Sequence, residues 1–305
     1  IASNDGYLLQ YFKEKNIPVL GIEPTANTAK VAEEKGISSL VKYFGEQTAR
    51  ELVAEGRRAD LLLGNNVLAH VPDINDFVKG MKLLLADNGV VTMEFPHLYQ
   101  LVKYNQFDTI YHEHFSYLSF HCVQTIFESV GLEMFDVEEI QTHGGSLRIY
   151  AKHQEDKSKK IEENIARVLH KEADVGMLNV AYYNDFQKSC DKVKIDFLKF
   201  LIEVKKEGDQ VVGYGAAAKG NTLMNYCGVK KDMIDYVVDA SPYKQGKFLP
   251  GSHIPVVKEE VLKADQPDYV VIFPWNIQEE IMTQLSYIKD WGGKFVIAIP
   301  ELSIL

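Results

Sequence analysis

Apolar residues in the first half of the chain gather in short, nearly unbroken runs at 19–23, 59–64 and 89–95. Runs of this length without alternation predict strands covered on both faces. Between them, 25–35 and 45–56 carry helical spacing, with Thr25 and Glu46 placed to start their helices. The alternation of strand and helix predicts a doubly wound α/β sheet. Two further strands, 132–137 and 146–152, are expected to close that domain as an antiparallel pair. The pattern changes after Lys152: the chain is strongly charged to Lys171 and then runs without Gly or Pro from Met177 to Glu207. That composition predicts helix rather than loop. Strand-like segments return at 210–216, 234–240, 269–274 and 294–300, separated by helical stretches, and predict a smaller parallel α/β domain. The expected organisation is therefore 1–152, a helical connector over 153–207, and a second, smaller parallel α/β domain over 208–305.

The first residues, Ile1-Ala2-Ser3-Asn4-Asp5-Gly6-Tyr7, read as the end of a strand turning directly into a helix, and the next strand ends in Glu23. This is the layout of an α/β nucleotide site. Gly6 permits close backbone approach, the following helix offers free N–H groups, and Glu23 is placed to accept from both ribose hydroxyls. No G-x-G-x-x-G pattern is present. A single glycine without a phosphate cradle suits an adenosine ligand lacking a pyrophosphate, which favours S-adenosylmethionine over NAD.

Residues 111–122, Tyr-His-Glu-His-Phe-Ser-Tyr-Leu-Ser-Phe-His-Cys, crowd three His, one Glu and two Tyr into an aromatic stretch suited to proton transfer. The adjacent spacing of His112, Glu113 and His114 does not put two imidazoles on one helical face, as a His-Glu-x-x-His zinc motif would. His70 follows a strand, where open α/β sheets place ligands, and His97 follows the next one. In His143-Gly144-Gly145-Ser146 two glycines allow a sharp turn or a close ligand, and Arg148 stands on the following strand, suited to a diphosphate or to an acidic neighbour.

Five motifs in one order carry a resemblance. They are Ser3-Asn4-Asp5-Gly6, Asn65-Asn66-Val67-Leu68-Ala69-His70-Val71, Tyr111-His112-Glu113-His114, His143-Gly144-Gly145-Ser146-Leu147-Arg148 and Gly213-Tyr214-Gly215-Ala216-Ala217-Ala218-Lys219. With them the chain resembles the S-adenosylmethionine-dependent C-methyltransferases of nucleotide-linked keto-sugars, of the sugar C-3 type, along its whole length. Such enzymes ordinarily begin with a Cys-rich zinc module. This chain starts inside the cofactor motif, so that module, which alone would bind zinc, and most of the first strand are expected to be missing. The resemblance implies a Rossmann-like methyltransferase domain holding S-adenosylmethionine across Ser3, Asn4, Asp5, Gly6, Glu23 and Asn65, and places His70 and Tyr111 in the active site. Methylating a carbon next to a ketone needs a base for the C–H proton and donors for the resulting enolate oxygen. His114 is the expected base with Glu113 as its orienting partner, and Tyr111 and His70 suit the oxygen. No metal is needed for this chemistry. The nucleotide-sugar is expected to meet His143, Gly144, Arg148, Tyr214, Lys219 and Lys244, the last from the turn-rich loop after Asp239. Phe273-Pro274-Trp275-Asn276 offers an aromatic surface at another strand end.

Composition changes little in this picture. With 305 residues and 46% hydrophobic residues the chain is long for one core and agrees with a cytoplasmic enzyme, and the resemblance implies a place in deoxysugar biosynthesis. No apolar run approaches the ~18–20 residues that span a bilayer, so no membrane partner is expected. A formal charge of −10 argues against nucleic acid. Cys122, Cys190 and Cys227 fit neither disulfides nor a zinc site and read as small buried hydrophobes. Two rival functions share the layout: an NAD(P)-dependent nucleotide-sugar oxidoreductase, which lacks its glycine turn here, and a non-catalytic fragment. Oligomeric state is left open.

Overall fold

The computed structural model describes residues 1–305, which divide into two compact units. The first comprises Ile1–Tyr99 and Glu113–Asn179, the second Gln100–His112 and Val180–Leu305. The segment expected as a connector is shared between them, α7 (Glu163–Asp174) lying in the first and α8 (Phe186–Glu207) in the second.

In the first unit the order is α1 (Leu9–Glu14), β1 (Gly21–Ile22), α2 (Ala26–Glu34), β2 (Ser39–Leu40), α3 (Glu46–Ala54), β3 (Ala59–Asn65), α4 (Ile74–Leu84), β4 (Leu85–Pro96), α5 (Leu98–Lys103), α6 (Phe120–Glu128), β5 (Leu132–Ile140), β6 (Ser146–His153) and α7; α5 ends in the second unit. β1 and β2 pair in parallel. A four-stranded sheet has the order β3-β4-β6-β5, parallel between β3 and β4 and antiparallel thereafter, with Leu132 opposite His153 and Ile140 opposite Ser146. The expected antiparallel pair is thus formed. Val91, Met93 and Phe95 of β4 and Leu147, Ile149 and Ala151 of β6 are fully buried, packed against Phe77 and Met81 of α4 and Phe120, Val123 and Phe127 of α6. Burying each of these side chains, the small Ala151 excepted, contributes roughly 1.5–3 kcal/mol.

The second unit adds to α8 a six-stranded sheet of order β12-β11-β10-β7-β8-β9, from β7 (Val211–Tyr214), β8 (Val237–Val238), β9 (Val256–Val257), β10 (Tyr269–Ile272), β11 (Lys294–Ile297) and β12 (Ser303–Ile304). All neighbours are parallel except β12. Helices α9 (Ala218–Cys227), α10 (Glu259–Asp265) and α11 (Gln278–Gln284) connect the strands. The whole is α/β, with two Rossmann-like units.

Three expectations are corrected. The helix expected from Met177 starts at Phe186, because Asn179, Tyr182, Tyr183 and Asn184 favour turns over helix and form a short 3₁₀ stretch at Val180–Tyr183. The two-residue strands β2, β9 and β12 carry too little pattern to be read in advance. Of the cysteines, Cys190 and Cys227 are buried but Cys122 is exposed, since α6 buries Phe120, Val123 and Phe127 and turns Cys122 away from that face. No helix is long and apolar enough to cross a membrane.

Candidate active site

Residues 1–3 run between β1 and β3: the main-chain nitrogen of Ile1 donates to the Leu63 carbonyl at 2.8 Å, and that of Ser3 to Ile22 at 3.3 Å. The chain then turns through Asn4 (φ 50°) and Gly6 (φ 75°) into α1. A Cβ at Gly6 would lie 2.5 Å from the Ile37 side chain, so left-handed backbone and lack of space both demand glycine. Glu23, just past β1, is buried. Its carboxylate accepts from Asn4 N at 3.1 Å and Thr25 N at 2.9 Å, which braces the turn and leaves each oxygen a second lone pair for a ligand hydroxyl. Ser3 Oγ and Asn66 Oδ1 are buried without partners. Orphaned polar atoms at adjacent strand ends, beside a buried acid and a glycine turn, fit a nucleoside with no pyrophosphate. Asn65 is exposed at the end of β3. Asp5 is committed elsewhere: Lys35 holds its carboxylate at 2.5 Å, and that hydrogen bond lowers its pKa.

Past β3 the chain makes a 3₁₀ turn at Leu68–His70. The Ala69 carbonyl accepts from Phe115 N at 2.9 Å and Ser116 N at 3.3 Å, and the Leu118 carbonyl accepts from Leu98 N at 2.9 Å. These bonds lay the loop from Glu113 against the turn and set the His114 ring edge-on to that of His70, with centroids 4.7 Å apart at 70°. The Tyr117 ring stands 6.1 Å from His114. Glu113 is exposed on the same loop. Tyr111 falls in the second unit and is half-buried.

The loop is anchored by a pair of which sequence reading singled out only His97. His97, 1% exposed at the end of β4, bonds through Nε2 to Glu172 Oε1 at 2.7 Å, and Glu172 is fully buried. The same carboxylate accepts from Phe120 N at 2.5 Å and His121 N at 3.0 Å, capping the first turn of α6 together with Ser119. Burial raises the Glu172 pKa, but the His97 bond and the two N–H groups outweigh it and hold the carboxyl below its usual value. One signal was legible: Ile165, Val168 and Glu172 share the buried face of α7 at helical spacing.

His143 and Gly144 have positive φ in a short turn before β6, and Gly145 accepts from His97 N at 3.1 Å. Arg148 is held between Glu94 and Glu138 on the neighbouring strands, the latter at 3.1 Å, so its acidic neighbours take the guanidinium. In the second unit Tyr214 is buried, with its hydroxyl bonded to Gln284 at 2.9 Å. Lys219 opens α9, donating to Asn276 Oδ1 at 2.7 Å with its ammonium 4.1 Å from the Trp275 ring centroid; burial lowers its pKa. Lys244 pairs with Asp239 at 3.2 Å. The structure thus groups Ser3, Asn4, Gly6 and Glu23, and separately His70 and His114, in the first unit. Tyr111, Tyr214, Lys219 and Lys244 belong to the second.

A family described as "C-methyltransferase C-terminal domain" matches residues 141–300, and one described as "Methyltransferase domain" matches residues 1–137. The C-methyltransferase NovU of Streptomyces niveus is 34% identical over 304 residues, covering 100% of this chain and 72% of that protein. The chain belongs to the C-methyltransferase family. Its activity class is S-adenosylmethionine-dependent methyl transfer to carbon, in agreement with the resemblance drawn from its motifs. Solved structures similar to this C-methyltransferase include the PH0226 protein from Pyrococcus horikoshii OT3, with TM-score 0.42 and 14% identity over 50% of this chain and 79% of that one. Another is a putative S-adenosylmethionine-dependent methyltransferase from Listeria monocytogenes, with TM-score 0.39 and 13% identity over 51% of this chain and 89% of that one.

Proposed function

We propose that this C-methyltransferase methylates the carbon next to the ketone of a nucleotide-linked keto-sugar by way of an enolate. The observation that carries the reading is the edge-on pair His70–His114, 4.7 Å apart at the C-terminal end of β3, in the unit that also carries the Gly6 turn and Glu23. S-adenosylmethionine, when bound, supplies an electrophilic methyl group on a sulfonium. Ser3, Asn4, Gly6, Glu23 and Asn65 are the residues to hold it, with Glu23 receiving ribose hydroxyls. His114 takes the proton from the substrate carbon, whose electron pair moves onto the ketone oxygen. His70 and Tyr111 stabilise that oxygen by hydrogen bonds. Glu113, the preceding residue on the same loop, orients His114. The nucleotide of the substrate belongs at the turn 213–221 of the second unit, where Lys219 and the uncapped N-terminus of α9 favour negative charge.

The experiment is incubation with isotopically labelled S-adenosylmethionine and a panel of nucleotide-linked keto-sugars, read by mass spectrometry. Gain of one labelled methyl on the sugar carbon supports the proposal. Methyl transfer only to other acceptors, or NAD(P)H consumption with the same panel, refutes it.

A further inference from the structure

Residues 100–112 belong to the second unit and end one residue after Tyr111. Their apolar anchor is Phe107, buried in that unit's core with its ring 4.9 Å from Tyr226, and Asn105 adds a bond to the Ser189 carbonyl at 3.0 Å. Between this anchor and Tyr111 stands Asp108, 1% exposed. Its Oδ2 accepts from Trp275 Nε1 at 2.7 Å, and its Oδ1 is buried with no partner. The other face of the cluster is Lys219, whose ammonium lies over the same indole and donates to Asn276.

Three elements therefore meet through three side chains, Asp108, Lys219 and Trp275: the turn at Phe107–Thr109, the start of α9, and the 3₁₀ turn Trp275–Ile277 after β10. An asparagine would satisfy the indole N–H without an ionisable group. A buried carboxylate with one bare oxygen is a costly way to make that bond. Burial pushes the Asp108 carboxyl up to about 6, against the pull of Trp275 and Lys219. Such a group contributes little to stability but fixes geometry and charge at one place. That place is three residues from Tyr111 and in contact with the turn that carries Lys219.

We propose that Asp108 is a positioning residue for methyl transfer: clamped by Trp275 beside Lys219, it fixes the backbone of residues 107–111 and so the direction in which the Tyr111 phenol is offered. This rests on the reading of Tyr111 as a donor to the substrate oxygen.

The test uses Asp108→Ala, Trp275→Phe and Asp108→Asn in the full chain. Turnover is measured with the keto-sugar found in the panel, S-adenosylmethionine affinity by calorimetry, and amide exchange by mass spectrometry, the last needing no substrate. The expected result for Asp108→Ala and Trp275→Phe is a loss of about tenfold to a hundredfold in kcat, the cost of a misplaced group, with unchanged S-adenosylmethionine affinity. Amides at 107–111 should exchange faster while β10 stays protected. Asp108→Asn, which keeps an acceptor for Trp275, should restore most of kcat. Wild-type kcat or unaltered exchange at 107–111 in Asp108→Ala would overturn the proposal. Tyr111→Phe separates the two readings: if it is fully active, the reading of Tyr111 falls; if it is slow while Asp108→Ala is normal, only the role of Asp108 falls.

Discussion

Glu23 and Asp239 do the same work in different units. Each follows a strand beside a strand-to-helix turn of its unit, each is buried, and each carboxylate accepts one N–H from that turn and one from two residues further along its own chain. For Glu23 the donors are Asn4 and Thr25, at 3.1 and 2.9 Å; for Asp239 they are Ala216 and Ser241, at 2.7 and 2.8 Å. Asp239 differs in holding Lys244 as well, at 3.2 Å, so its spare acceptor capacity is partly used. The acid that closes the turn was legible in the sequence at Glu23 as a ligand residue. Its structural duty toward the turn was not, because main-chain partners leave no trace in side-chain pattern.

From this equivalence, Glu23→Ala and Asp239→Ala should both destabilise their units, each by about 1–3 kcal/mol for unsatisfied buried N–H groups. Only Glu23→Ala should also weaken S-adenosylmethionine binding. Chemical denaturation and titration calorimetry on the two variants check this. Equal affinity in both would remove Glu23 from the cofactor site.

The His97–Glu172 pair leads to a second expectation. Removing either partner leaves a buried polar or charged group exposed to nothing, so His97→Ala or Glu172→Ala should cost about 3–5 kcal/mol. Because the Glu172 pKa is depressed in the folded protein, its contribution is present above the ordinary value of 4.5 and is lost as pH falls below it. Urea titrations from pH 3 to pH 7 should show a steeper acid loss in the native chain than in Glu172→Gln.

Asp108 carries the opposite sign. A carboxyl raised from 3.8 to about 6 favours folding most when protonated, and its contribution declines as pH rises from 3.8 through 6. The rise corresponds to about 3 kcal/mol at most. Asp108→Asn should therefore gain stability relative to the native chain between pH 4 and pH 7. Parallel denaturation curves that show no such gain would place Asp108 in a more solvated setting.

How far the sequence reached depended on what each feature is made of. The strands at 59–65, 85–96 and 146–153 formed where apolar runs at 59–64, 89–95 and 146–152 were read, although β3 leaves Asp60 and Leu61 exposed and so is not covered on both faces, and their ends located Asn65, His70 and His97. The Gly6 turn was readable because only glycine meets its backbone and space. Glu172 and Asp108 were not, since each takes its meaning from partners 75 and 167 residues away, His97 and Trp275. Arg148 stood open between a phosphate and an acid until strand register set it between Glu94 and Glu138.

The last expectation is that His114 is the base. Its ring is fixed by the Phe115 and Ser116 bonds to Ala69 and by edge-on contact with His70, on a loop tied down at Leu118 and, through Glu172, at Phe120. A positioned base typically contributes ~10²–10⁴-fold, so His114→Ala should lower turnover by that factor. The rings it touches, His70 and Tyr117, are not among the residues assigned to the cofactor, so S-adenosylmethionine affinity should stay nearly intact. In the proposed enolate route proton abstraction precedes methyl transfer, so the variant should also lose solvent deuterium exchange at the carbon alpha to the ketone. Exchange at the wild-type rate in His114→Ala, with its disappearance in Tyr111→Phe, would transfer the role of base to Tyr111. Loss of exchange in His114→Ala and in Glu113→Gln alike would show that Glu113 supports the imidazole in its role as base.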